Sequence, residues 1–479
     1  MSIEKLIFTL SGIRGIVGRD LTVEKAKRIA IAFGTLLKEK ENTILIGRDS
    51  RPSSEVLQKA IIEGLLNLDY NIINVGICPT PIIIHTINNL KNSAGIIITG
   101  SHNSQEWNGI KLISDQNYLD NSQILEISNK LKSMNFDPFI KKVPHKEDLI
   151  TELNPIPDYI QNLKNFINFK KIKEKNNLKV VIDTGAGTGN LVLPQILNQM
   201  GCDFKLINES LLVNNNFPRE IEPIKKNLKD LIMEVWQKRY DIGFAFDSDA
   251  DRVAIVGENG ICYPEDMVLG IIAEYYFKNL VPNYDDTIFI TNVASSLMFE
   301  RIAEKFKVKI IRTPIGERFL TEKINLLLKE KKSSSKERLI FGGEGSCGGV
   351  IFPYFNNTRD AIFATAKIVE ILVETGEKIS ELVAKLPKFY VHREKIDILD
   401  HNVEDIITQI KKELIDEGEC VSQIGWDLRF GKNKDWFVLI HPSNTEPIIR
   451  VISEAKRKSL ARIYSETTTE LLKLVMSKL

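Results

Sequence analysis

Short apolar runs recur along this chain, separated by amphipathic segments of roughly a dozen to twenty residues, and this alternation narrows the fold more than any other feature. The clearest runs are Thr43–Ile46, Asn71–Val75, Ala94–Ile98, Leu178–Asp183, Ile242–Phe246 and Thr287–Ile290. Each is short and largely apolar, as expected of a strand. Strands that alternate with helices predict α/β units on parallel or mixed sheets. With 479 residues the chain is too long for one core. Three consecutive α/β blocks of similar length suggest diverged duplication, and after Leu386-Pro-Lys-Phe-Tyr390 the pattern shortens into a small α+β tail. Proline-bearing, weakly apolar stretches at 145–160 and 282–286 mark the other expected boundaries. The charged run from Lys329 to Arg338 reads as an exposed loop.

Bulk properties exclude several function classes. The formal net charge is +1, which gives no electrostatic reason to expect nucleic acid or an anionic membrane as partner. The five cysteines (Cys78, Cys202, Cys262, Cys347 and Cys420) lack paired or CxxC spacing, so neither a disulfide framework nor a zinc site is expected. The start lacks the layout of a signal peptide and no apolar run reaches transmembrane length, so the expectation is a soluble protein in a reducing cytoplasm.

Between two apolar runs, residues 243–258 place Asp247, Asp249 and Asp251 at alternate positions. With Glu258 at the twelfth position they nearly fit a calcium loop, but Arg252 stands at the sixth, where that loop requires glycine, and Val253–Val256 reads as a strand. Three carboxylates in a tight turn repel one another unless a cation neutralises them. A small hard cation, Mg²⁺, completed by phosphate or water, suits the set, the alternative being a merely polar turn.

Other loops carry reactive groups. Thr99-Gly-Ser-His-Asn-Ser-Gln-Glu-Trp-Asn-Gly-Ile-Lys111 follows a strand and offers Ser101 as a nucleophile beside His102, although such a string also serves ordinary loop hydrogen bonding. Phe341-Gly-Gly-Glu-Gly-Ser-Cys-Gly-Gly349 exposes Glu344 and Ser346 for sugar hydroxyls or is a plain glycine turn, with Cys347 a small loop residue. His441-Pro-Ser-Asn-Thr-Glu-Pro-Ile-Ile-Arg450 offers Ser443, Asn444, Thr445 and Arg450 to a phosphate, or forms an ordinary hairpin. Leu10–Gly18 sets Arg14 between glycines, and Asp183-Thr-Gly-Ala-Gly-Thr-Gly189 reads as a close strand-to-helix turn, its glycine spacing departing from the dinucleotide fingerprint.

In this order, Ser-Gly-Ile-Arg-Gly, Thr-Gly-Ser-His-Asn, Asn-Gly-Ile-Lys, Asp-Ser-Asp-Ala-Asp-Arg, Gly-Glu-Gly-Ser and Pro-Ser-Asn-Thr-Glu-Pro resemble the α-D-phosphohexomutase family over nearly the whole chain. The resemblance implies three related α/β mixed-sheet domains plus a smaller C-terminal α+β domain around a central cleft. On that template the phosphoserine-bearing domain spans 1–152, the Mg-binding domain 153–280, the sugar-recognition domain 281–388 and the phosphate-binding domain 389–479. It further implies that Ser101 is the phosphoserine, that Asp247, Asp249 and Asp251 hold Mg²⁺ with a phosphoserine oxygen, and that Arg14 and Arg252 stabilise the transferring group. Lys111 and His102 would serve as acid/base helpers, Glu344, Ser346, Gly316 and Arg318 would read the sugar, and Ser443, Asn444, Thr445 and Arg450 would hold the phosphate that is not reacting.

The implied activity is interconversion of hexose 6-phosphate and hexose 1-phosphate through a hexose 1,6-bisphosphate, by a monomer or homodimer acting on a small molecule. The sugar loop resembles the archaeal and Bacteroidetes-type phosphoglucosamine mutases or mixed-specificity mutases, placing glucosamine phosphate ahead of mannose and glucose phosphates. A Mg²⁺-dependent sugar-phosphate phosphatase and a non-catalytic sugar-phosphate sensor are the other readings. Ser104 and His441 depart from the proline and arginine usual in the family, the first loosening the loop and the second making local charge depend on pH.

Overall fold

The computed structural model describes residues 6–9, 12–37, 42–90, 93–140, 146–209, 216–280, 286–330, 338–398, 401–432, 434–443 and 447–479. These divide into two compact units, residues 1–268 with 347–382, and residues 269–346 with 383–479.

The first unit holds two sheets. In the larger, Thr43–Arg48 runs parallel to both Asn71–Ile77 and Ser93–Ile98, and the antiparallel strand Trp107–Ser114 follows Ser93–Ile98. Gly12–Ile16 then pairs antiparallel with Trp107–Ser114 and carries Ile7–Thr9 outside it. At the opposite edge Ile150–Glu152 adds parallel to Asn71–Ile77, so part of the proline-bearing stretch expected to be a boundary is instead a strand of this sheet. Every residue of Ser93–Ile98 is buried, which is why the run is continuously apolar rather than alternating. The helix Val23–Gly34 begins where Thr22 caps it with its hydroxyl, and its Ile29, Ala30 and Phe33 join Ile44, Ile46, Ile96 and Ile98 in one core. Each such isoleucine contributes roughly 1.5–3 kcal/mol by leaving water.

The second sheet orders Asp203–Ile207, Lys179–Asp183 and Ile242–Phe246 in parallel, with Val253–Gly257 antiparallel to the last. Ile242–Phe246 and Val253–Gly257 are wholly buried and joined by the turn that carries the aspartates. Glu258 lies just past the second strand, where it accepts from the backbone N–H and hydroxyl of Ser380. The glycine-rich turn after Lys179–Asp183 packs under the aspartate turn: a Cβ on Gly187 would stand 2.9 Å from the carbonyl oxygens of Asp247 and Ser248. Thr188 N–H donates to that Ser248 carbonyl at 2.8 Å.

In the second unit Asp286–Asn292 lies between the parallel strands Lys309–Thr313 and Arg338–Glu344. Gly342 is paired with Ile290 so closely that an added Cβ would meet the Ile290 carbonyl oxygen at 1.8 Å. Gly342→Ala must displace backbone, and we expect it to lower stability by about 3 kcal/mol, read as a shift of the denaturation midpoint. The C-terminal sheet is wholly antiparallel, in the order Tyr390–Asp397, Ile448–Ala455, Trp436–Pro442, Asp427–Lys432, Ser422–Ile424. Val403–Asp416 and Lys458–Met476 supply Ile406, Ile410 and Leu472 to the core on one of its faces. Among the described residues no helix is long and apolar enough to cross a membrane.

Candidate active site

Ser101 lies in the loop between Ser93–Ile98 and Trp107–Ser114, buried and with φ of +48°. A left-handed conformation at a non-glycine residue is costly and persists only where the surroundings impose it. Here the Thr99 hydroxyl accepts the Ser101 N–H at 2.8 Å. The Ser101 hydroxyl is 3.1 Å from Asp247 Oδ2 and 3.4 Å from His102 Nδ1. Ser101 and the first aspartate, far apart in sequence, are thus hydrogen-bonding neighbours.

Lys111 belongs to the strand Trp107–Ser114, not to the loop, and its buried ammonium donates to Asp249 Oδ2 at 3.1 Å and Asp251 Oδ2 at 3.3 Å. Arg14, on the adjacent strand Gly12–Ile16, donates to the Asn103 side chain at 2.7 Å. Arg252 Nε is 3.9 Å from Asp247 Oδ2 and 3.7 Å from Asp251 Oδ1. Burial and the neighbouring Arg252 bring the Arg14 guanidinium down to about 10. The Arg252 charge, then burial, then Arg14 hold His102 well below the usual imidazole range, leaving it neutral.

Carboxylate oxygens of Asp247, Asp249 and Asp251 lie within 4.8 Å of one another, all buried. Asp247 Oδ1 accepts the N–H groups of Asp251 and Arg252 at 3.2 and 3.3 Å. Burial and the two neighbouring carboxylates push Asp247 far above the ordinary carboxylate range. Burial acts in the same direction on Asp251, but the charges of Arg359, Lys111 and Arg252 outweigh it and hold Asp251 well below that range. Asp249 Oδ1 and Asp251 Oδ1 are buried without a hydrogen-bond partner. A buried orphan carboxylate oxygen is costly unless something positive meets it. The donor set, three hard oxygens beside a serine hydroxyl, fits a small divalent cation.

Two further residues hold this set together. Thr80 donates from its backbone N–H to the Asp249 carbonyl at 2.9 Å and from its hydroxyl to Asp249 Oδ2 at 2.7 Å. Arg359 Nη2 donates to Asp251 Oδ2 at 2.7 Å. Neither stands in a loop that reads as catalytic, and Arg359 lies 108 positions from its partner. The one local signal is an arginine beside Asp360, the cap of the strongly apolar helix Ala361–Thr375.

In the second unit Glu344 ends the strand Arg338–Glu344, and its Oε1 accepts from Asn292 Nδ2 at 2.9 Å and from the Gly316 N–H at 3.2 Å. Gly316 has φ of +126° and precedes the helix Glu317–Lys329, on which Arg318 sits 3.8 Å from Glu322. Ser346 lies in the short turn after Glu344. Ser443 closes a hairpin, its N–H donating to the Ile448 carbonyl at 2.9 Å. Arg450 is paired across that hairpin with His441, whose Nδ1 is 2.6 Å from Asp427 Oδ1. Asn444 and Thr445 fall outside the described residues.

Comparison with known proteins places this architecture. Models of the phosphoglucomutase/phosphomannomutase α/β/α domains I, II and III match residues 5–137, 157–260 and 264–390. A phosphoglucomutase/phosphomannomutase of Thermococcus kodakarensis is 34% identical over 476 residues, covering 97% of this chain and 98% of the relative. A probable phosphoglucosamine mutase of Pyrococcus abyssi is 33% identical over 480 residues, covering 98% of each. Among solved structures, a phosphoglucomutase/phosphomannomutase family protein of Burkholderia thailandensis shares the fold with a TM-score of 0.80 at 22% identity, over 98% of this chain and 97% of that one. The Aspergillus fumigatus N-acetylphosphoglucosamine mutase, solved with GlcNAc-6P and magnesium, has a TM-score of 0.59 at 13% identity, over 98% of this chain and 96% of that one. The chain belongs to the α-D-phosphohexomutase family, with three α/β domains and a small C-terminal sheet domain.

Proposed function

We propose that the protein interconverts hexose 6-phosphate and hexose 1-phosphate, with the glucosamine phosphates as its preferred pair and Ser101 as the phosphoryl carrier. The observation that carries this reading is the Ser101 hydroxyl 3.1 Å from Asp247, in a loop whose strand also delivers Lys111 to Asp249 and Asp251. Roles divide along the chain, with 1–152 carrying Ser101, 153–280 the aspartates, 281–388 the sugar-reading groups and 389–479 the distal phosphate loop.

The phosphoryl group on Ser101 Oγ passes to the free hydroxyl of a hexose monophosphate. The serine P–O bond breaks as the sugar P–O bond forms; neutral His102 accepts the sugar hydroxyl proton, the Lys111 ammonium donates one to the departing Ser101 Oγ, and the two exchange roles when the phosphoryl returns. The resulting 1,6-bisphosphate reverses end for end, and its other phosphoryl returns to Ser101, so no water is consumed. Little covalent chemistry is demanded of the protein, and positioning with charge neutralisation supplies the rate. Arg14 and Arg252 neutralise the oxygens of the group in flight. Asp247, Asp249 and Asp251 would hold Mg²⁺, which supplies positive charge to phosphoryl oxygens when bound. Glu344, Ser346, Gly316 and Arg318 would read the sugar, and Ser443, Asn444, Thr445 and Arg450 the other phosphate, so either end of the substrate is accepted. The five cysteines, none of them in a disulfide, suit a reducing cytoplasm, where a monomer or homodimer would act on a free metabolite.

Phosphoglucosamine and phosphoglucomutase/phosphomannomutase names both occur among relatives of nearly equal identity, so the preferred sugar is the finer question. We expect coupled assays to give glucosamine 6-phosphate a kcat/KM about tenfold above glucose and mannose 6-phosphates. A higher value for glucose or mannose phosphate would reassign the substrate. Steady release of inorganic phosphate without isomerisation would make the enzyme a phosphatase.

A further inference from the structure

Asp49 and Arg51 occupy the turn between the strand Thr43–Arg48 and the helix Pro52–Leu66, and no role above uses them. Arg51 is the largest fully buried side chain of the described residues. Its guanidinium spends its donors on one loop: Nη2 donates to the carbonyls of Ser101 and Asn103 at 2.8 and 2.6 Å, and Nη1 to that of Ser104 at 2.9 Å. Nε donates to Asp49 Oδ2 at 3.0 Å. The chain passes directly over the guanidinium, since a Cβ on Gly100 would stand 2.6 Å from Arg51 Cζ. Phe217 covers the cation, its ring centroid 5.4 Å away.

Asp49 is the second half of the device. Its Oδ2 also accepts from the Thr99 hydroxyl at 2.8 Å and the Gly100 N–H at 3.3 Å, while Oδ1 accepts from Ser54 and from the Arg51 backbone. The Ser248 hydroxyl, from the aspartate turn, lies 3.1 Å from Asp49 Oδ2 and 2.9 Å from the Ser101 carbonyl. One buried ion pair therefore ties the Ser101 loop to the turn that carries the metal-binding aspartates.

We propose that Arg51 and Asp49 are positioning residues for phosphoryl transfer, imposing the left-handed backbone at Ser101 and setting its hydroxyl against the aspartate turn through Ser248. The inference rests on Ser101 being the phosphoryl carrier. Three carbonyls held on one planar cation are three oxygen dipoles kept from the transferring phosphate. Only a rigid fork can hold them together with Asp49, because a lysine ammonium presents fewer donors from a single point.

The test compares wild type, Arg51→Lys, Ser248→Ala and Ser101→Ala for fold by circular dichroism and for kcat and KM with glucosamine 6-phosphate and bisphosphate activator. We expect folded Arg51→Lys to lose about 30-fold in kcat with KM within about twofold, because misplacing the carrier by a fraction of an ångström slows transfer without touching the groups proposed to bind substrate. A folded Arg51→Lys with kcat within about threefold of wild type, or with KM raised as much as kcat falls, overturns the proposal. If Arg51→Lys does not fold, Ser248→Ala decides: a kcat loss of about tenfold with unchanged KM supports the tie, and wild-type kcat refutes it. Retained turnover in Ser101→Ala would strike the carrier reading and the clamp together. An inactive Ser101→Ala beside a fully active Arg51→Lys would strike the clamp alone.

Discussion

Replacing Ser101 by alanine will lower mutase turnover by roughly 10⁴-fold or more while leaving a folded protein. The hydroxyl donates to Asp247 at 3.1 Å and lies 3.4 Å from His102 Nδ1, so its removal costs about 1 kcal/mol of stability. The chemistry loses far more, because the variant has no oxygen beside Asp247 at this position to carry the phosphoryl. Intact-mass measurement should find one phosphoryl group on the charged wild type and none on the variant after incubation with hexose 1,6-bisphosphate. Turnover at the wild-type rate in Ser101→Ala would eliminate Ser101 as carrier. Ser101→Gly sharpens the argument. It removes the same hydroxyl but relaxes a backbone held at φ +48°, so we expect equal loss of activity with stability about 1 kcal/mol above that of Ser101→Ala. A strained serine that a glycine would relieve is what a site shaped for reaction rather than for stability predicts.

How much of this was legible in the sequence depended on whether a feature is local. All six apolar runs became strands, each within two residues of its expected start, and those such as Ala94–Ile98 and Ile242–Phe246 that are buried on both faces are apolar throughout. The tight turn at 247–251 was likewise written locally, by two β-forming runs with three carboxylates between them. What escaped was the support. Arg51, Asp49, Thr80 and Arg359 act on residues 50 or more positions away, and beside their own sequence neighbours they read as ordinary turn and cap residues. In the sequence Lys111 closes a reactive loop, whereas pairing of Trp107–Ser114 with Ser93–Ile98 makes it a strand residue and fixes which face its ammonium meets. The glycines of 185–189 carried a further hint. Gly187 has no room for a Cβ because the backbone of the aspartate turn lies against it, so the glycine reports an approach that only the folded sheet creates.

Asp251 tests whether the aspartate turn serves structure, metal or both. Its carboxylate meets Arg359 at 2.7 Å and Lys111 at 3.3 Å, with Arg252 at 3.7 Å, all at a position without solvent exposure. Removing the charge of one member of such a buried set weakens the compensation of the others, so Asp251→Asn should cost about 3–5 kcal/mol by denaturant titration. On the proposed assignment apparent Mg²⁺ affinity should also fall by at least about 100-fold, since one of the three carboxylates proposed to hold the cation is gone. The two effects separate in a second background. Arg359→Met removes the nearest of the cations that Asp251 neutralises, so the double variant Asp251→Asn/Arg359→Met should recover about 1–3 kcal/mol of the lost stability as a coupling energy between touching residues. It should recover neither Mg²⁺ affinity nor turnover, because the missing ligand is still missing. If turnover returned along with stability, Asp251 would be part of the scaffold, and the cation would have to be held by Asp247 and Asp249 without it.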